Sequence, residues 1–184
     1  MKINTTTGLL DECTQCPSPN KDMRPDNTAI DLIVVHSISL PPGQYGGNSI
    51  ECFFQNNLDR NEHPYFEEIC DMQVSSHALI KRSGEIVQFV PFDERAWHAG
   101  QSSYQGRERC NDFSIGIELE GTDSDDFEDI QYQQLAQLVS TLKIAYPDIA
   151  ENITGHSDIS PGRKKDPGTG FSWDKLNDNI STRE

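Results

Sequence analysis

Basic residues are scarce: 15 Lys and Arg stand against 30 Asp and Glu, a formal net charge of −15 with histidine neutral. That balance argues against broad nucleic-acid or anionic-membrane binding, because both need basic surface to neutralise phosphate. Long apolar runs are also missing. No stretch approaches the ~20 residues of a membrane span, and the N-terminal segment has neither an apolar core nor a small-residue cleavage site, so no secretory signal is expected. Cys13, Cys16, Cys52, Cys70 and Cys110 make an odd set of five, which a complete disulfide framework does not accommodate. A reducing, cytoplasmic setting is the expectation. Cys13 and Cys16 form a CxxC without a second pair, and are read as ordinary thiols.

What is present suffices for a core. The hydrophobic share is 34%, but Leu, Ile, Val and Phe recur in every long stretch, which keeps the chain out of the disordered class. No repeat or linker divides the 184 residues, so 1–184 is expected to be a single domain. Asp31–His36 is an unbroken β-branched run ending on histidine, as in a strand buried on both faces. Asn48 and Glu51 have capping-box spacing, and Ile50, Phe53, Phe54 and Leu58 follow at helical intervals. Residues 74–80 and 85–90 read as a hairpin closed at Gly84. Phe113–Glu120 alternates, which places Ile115, Ile117 and Leu119 on one face and Gly116, Glu118 and Glu120 on the other. A long helix is expected over 126–146 and a last one after Ser172. Together these elements imply an α/β (α+β) fold, a central mixed β-sheet flanked by helices.

The segment 154–168 holds His156, Asp158 and Asp166 with Arg163, Lys164 and Lys165 in a loop rich in proline and glycine. His156 and Asp166 can converge there, and His36 would complete a three-ligand site with an open fourth position, the pattern of a catalytic zinc centre. Hydrolysis of an amide or ester would also need a proton acceptor and a cation near the developing oxyanion. Glu118 and Glu120 are equal candidates by periodicity for the first, and Lys164 is a candidate for the second.

Five motifs now stand in order: 32–43, 95–100, 102–112, 114–123 and 155–168. From about residue 17 to 176 the chain resembles the N-acetylmuramoyl-L-alanine amidase family related to peptidoglycan-recognition proteins. The resemblance implies one zinc ion per chain on His36, His156 and Asp166, with Glu118 acting on water and Lys164 at the oxyanion. It implies cleavage of the amide joining the lactyl group of 1,6-anhydro-N-acetylmuramic acid to L-alanine, in cytoplasmic cell-wall recycling. The partner would be a small muropeptide, with no nucleic acid, membrane or obligate protein partner. Arg109 and Arg163 would hold substrate carboxylates, and Trp97 would line the cleft. Ser37 and Gln73 depart from the usual family residues, which bears on fine substrate recognition. Members that lack a zinc ligand bind without cleaving, and others attack intact wall; those are the rival readings. His63, His77 and His98 match no ligand position. His77 is read as a strand residue near the sheet interior and His98 as a cleft wall. Residues 43–69 are the candidate flap.

Overall fold

The computed structural model describes residues 1–182. Its centre is a six-stranded sheet of β1 (Thr14–Gln15), β2 (Leu32–Ile38), β3 (Ala78–Ile80), β4 (Ile86–Gln88), β5 (Ser114–Glu120) and β6 (Ile153–Gly155), in the spatial order β6-β2-β5-β3-β4-β1. The β2, β5, β3 and β6 neighbours pair in parallel and β3 with β4 antiparallel, so the sheet is mixed. Among the described residues five α-helices accompany it: α1 (Ser49–Phe54), α2 (Pro64–Ile69), α3 (Asp129–Ala145), α4 (His156–Ile159) and α5 (Trp173–Ser181). The α+β architecture is thus the one the sequence implies. Among the described residues no helix is long and apolar enough to cross a membrane.

The two sheet faces have different covers. Ile33, Val35, Ile115, Ile117 and Leu119 pack under α3 and α5, against Leu135, Leu138, Val139, Leu142 and Leu176. Each such side chain contributes roughly 1.5–3 kcal/mol of burial. On the opposite face α1 and α2 set Phe53, Phe54 and Phe66 against Leu79, Val87 and Phe89, while Leu32, Val34, Ala99, Cys110, Phe113 and Ile159 form a smaller cluster. Between those two clusters lie the ends of β2 and β5, where polar side chains take over.

Several elements differ from the sequence pattern for local reasons. The Asn48 side chain makes no cap hydrogen bond, and α1 stops before Asn56, whose φ of 60° breaks the helix; Leu58 is buried from a loop. A second helix follows that periodicity does not predict. His63 starts it, its Nδ1 accepting the Tyr65 amide, with Pro64 in the first turn. The hairpin ladder covers only 78–80 and 86–88, and Gly84 turns it at φ 85°. In β5 both alternating faces are buried, so neither Glu118 nor Glu120 faces solvent. The candidate flap is anchored at both helices by buried phenylalanines, and its exposed tip is held by Tyr45, which hydrogen-bonds Asp125 beneath the Arg82 guanidinium.

Candidate metal centre

Register places the first two groups. On the parallel strands β2 and β5, His36 lies directly opposite Glu118, so both side chains rise from the same sheet face. β6 runs beside β2 and delivers His156 at its end, at the first residue of α4. The loop after α4 returns Asp166, whose carbonyl accepts the Ser157 amide at 2.8 Å and closes the excursion. Three groups up to 130 residues apart thereby meet.

Their geometry is tight. His36 Nδ1 and His156 Nδ1 are 3.0 Å apart, and Asp166 Oδ2 lies 3.0 Å from each. The far nitrogen of His156 donates to the Ala99 carbonyl at 3.1 Å, so its Nδ1 carries a lone pair. Burial, opposed by Asp166, lowers His36 to about 4, which leaves that ring neutral at pH 7. For Asp166, burial works to raise the pKa, but the adjoining His156 and His36 imidazoles outweigh it and hold the carboxyl well below its ordinary range. Two imidazole lone pairs and a carboxylate oxygen converge here, a cluster of acceptors that calls for a cation between them. Among the described residues this is the group that fits a metal ion.

Glu118 stands beside the triad. It is 8% exposed, and its Oε2 has no hydrogen-bond partner. Burial first, then the Asp166 charge, raise its pKa well above the ordinary value, while Lys164 pulls it down. Glu120 is different although it shares the same strand face. Its carboxylate accepts the Gly46 amide at 2.6 Å and the Arg82 amide at 3.0 Å, which ties the tip of the 41–47 loop to the hairpin turn. Replacing Glu120 by alanine leaves both amides unpaired and is expected to cost ~1–3 kcal/mol. The temperature of thermal unfolding should fall while metal content is kept.

A cleft of about 420 Å³ opens over the triad, lined by Ser37, Trp97, Glu118, Asp123 and Lys164 on its polar side. Its other wall is apolar, from Leu40, Phe53, Phe54, Tyr65, Ile69 and Met72. That wall comes from α1 and α2, and the sequence pattern shows it only as helix core. Ser37 donates to Asp123 at 3.3 Å, and the Trp97 indole donates to Asp22 at 3.3 Å. Arg109 and Arg163 do not line this cleft. They lie on a second groove of about 400 Å³ with Gln101, Ser102 and Ser160. Arg163 donates there to the Ala99 and Gln101 carbonyls at 2.6 and 2.8 Å, and Arg109 pairs with Asp112 at 3.2 Å. Arg107 is paired with Asp31 at 2.5 Å. Of the clustered basic side chains, Lys164 is the one at the metal cleft.

A mixed sheet carrying a two-histidine, one-aspartate group that could hold a metal ion, under an apolar-walled cleft, has the arrangement of a hydrolase. The chain belongs to the N-acetylmuramoyl-L-alanine amidase family, whose profile matches residues 26–169. It is an enzyme of that family. A 1,6-anhydro-N-acetylmuramyl-L-alanine amidase AmpD of Escherichia coli is 59% identical over 90% of this chain and 91% of that protein. A crystal structure of a selenomethionine AmpD derivative superposes with a TM-score of 0.95 at 56% identity, covering 98% of this chain and 99% of the other. The amidase AmiD of Escherichia coli, solved in complex with the substrate anhydro-N-acetylmuramic acid-L-Ala-D-gamma-Glu-L-Lys, superposes at 0.59 with 32% identity, over 85% of this chain and 60% of that one.

Proposed function

We propose that this chain hydrolyses the amide between the lactyl group of 1,6-anhydro-N-acetylmuramic acid and L-alanine in small muropeptides, using one zinc ion, as a cytoplasmic step of cell-wall recycling. The observation that carries the reading is the convergence of three potential ligand atoms beside a buried Glu118 whose Oε2 has no partner. Zinc suits this donor set. Tetrahedral ligands ~2.0–2.1 Å from zinc stand roughly 3.3 Å apart, close to the 3.0 Å separations of His36, His156 and Asp166. When bound, the ion would supply Lewis acidity toward the amide carbonyl and make a water molecule more acidic.

The chain's own groups account for the rest. Glu118 Oε2 takes the proton of the attacking water, and its raised proton affinity suits it to hold that proton and return it to the leaving amine of L-alanine. The Lys164 ammonium offsets negative charge as the carbonyl oxygen becomes an oxyanion. Ser37, Asp123 and Trp97 are placed to orient the polar parts of the substrate, and the α1–α2 wall excludes water behind it. Arg109 and Arg163 are assigned to stem-peptide carboxylates, which requires the stem to extend from the metal cleft into the second groove. A cytoplasmic setting agrees with five cysteines that are all free thiols. The described residues act as a single domain in this reading, with every site residue carried on or beside one sheet.

The test sets purified anhydromuropeptide beside intact sacculi, with mass analysis of the products. Zinc-loaded protein is expected to release stem peptide from the soluble fragment. Release from sacculi alone would replace this substrate with intact wall, and binding without products from either would leave a recognition module.

A further inference from the structure

His36 and His156 need more than proximity to serve as ligands: each must present a bare Nδ1, and an imidazole does so only when its proton is held on Nε2. For His156 the acceptor is the Ala99 carbonyl at 3.1 Å. For His36 it is the preceding residue of the same segment, because His36 Nε2 lies 2.9 Å from His98 Nδ1. Which of the two nitrogens donates follows from the next link. His98 Nε2 is 3.2 Å from the Ser114 hydroxyl, and that hydroxyl donates its proton to the Cys110 carbonyl at 2.6 Å. The Ser114 oxygen can then only accept, so His98 carries its proton on Nε2 and offers Nδ1 as an acceptor. His36 must donate.

The surroundings are built to hold His98 in this pose. Asn111 Oδ1 accepts the His98 and Ala99 amides at 3.1 and 2.7 Å, clamping the two residues that face the two imidazoles. The partly buried Arg24 guanidinium donates to the carbonyls of Asn111, Asp112 and Ser114 at 3.1, 3.1 and 2.9 Å, which holds the Asn111 clamp and the Ser114 relay together. Gly116 leaves room for the ring, since a Cβ there would come within 2.4 Å of His98 Cγ. None of these groups touches the cleft chemistry directly.

We propose that His98 is the positioning residue of the metal centre: by accepting the Nε2 proton of His36 it aims that ring's Nδ1 lone pair at the ion, as the Ala99 carbonyl does for His156. The inference rests on the zinc reading above. It is tested on the full chain by chelator competition for zinc and by 15N NMR of the histidine tautomers in the metal-free protein. His98→Phe, which removes the acceptor but keeps a ring, should raise the zinc dissociation constant ~10- to 100-fold and release His36 into both tautomers. His98→Asn, whose amide oxygen replaces Nδ1, should recover most of the affinity and the Nε2–H form. If His98→Phe does not fold, Ser114→Ala carries the test; it frees the His98 proton and should weaken zinc several-fold. Native affinity in His98→Phe or in Ser114→Ala overturns the role of His98. Equal losses in His98→Phe and His98→Asn, with His36 unchanged in tautomer, reduce it to packing and overturn it too. A native protein that binds no zinc overturns the metal centre itself.

Discussion

Replacing Glu118 by glutamine should lower turnover by ~10²- to 10⁴-fold, the usual contribution of a positioned general base, while zinc content stays at that of the native protein. Glutamine matches glutamate in size but accepts no proton from water. The same substitution should raise the stability of the metal-free protein. Burial and the Asp166 charge hold the Glu118 proton more tightly in the folded state than in the unfolded chain. Folded Glu118 therefore binds more protons above the ordinary value near 4.5, and native stability falls as pH rises from there until the raised folded value is passed. Each pH unit of that window is worth about 1.4 kcal/mol. The variant lacks this loss, so its gain should be larger at pH 8 than at pH 4, read by thermal unfolding at both. The pH profile of kcat/KM supplies a third measure: its acidic limb, set by ionisation of Glu118, should be absent from the residual activity of the variant. Full turnover in Glu118→Gln would remove it as the base.

Asp166→Ala should abolish zinc retention after dialysis and with it activity, a fall of ~10³-fold or more, since a Lewis acid supplies several kcal/mol of transition-state stabilisation. The physical reason is charge. An imidazole ligand brings no charge of its own to a metal, and Asp166 is the one anion that touches both His36 and His156. Without it a dication would sit among desolvated rings with no countercharge nearer than Glu118. Metal analysis and activity on anhydromuropeptide with added zinc check the result together. Asp166→Asn, which keeps the shape and loses the charge, should be nearly as inactive; recovery of full activity in that variant would show that the third ligand lies elsewhere.

The contrast between Glu118 and Glu120 marks the limit of reading one dimension. Alternation puts both on one face of β5, and they are indistinguishable by type, spacing and strand. The fold separates them by their neighbours: Glu120 meets two backbone amides from the 41–47 loop and the hairpin turn, whereas Glu118 meets a register partner, His36, and no donor. The basic residues show the same limit. Arg107, Arg109, Arg163 and Lys164 cluster along the chain, yet pairing with Asp31, Asp112 and backbone carbonyls takes the arginines away from the metal cleft.

By itself the sequence marked strands over 31–36 and 113–120, which the fold places at 32–38 and 114–120, the long helix and its neighbour after Ser172, and the mixed-sheet class; the metal-ligand set came from the family resemblance. The secondary structure follows from short-range causes: β-branching, alternation and caps. Only the tertiary structure decided that α2 exists beside α1, which acid is free to move a proton, and that His98 faces His36. Each of those depends on which groups from distant segments satisfy one another's hydrogen bonds, and that is settled by parallel strand register and packing over more than a hundred residues of intervening chain.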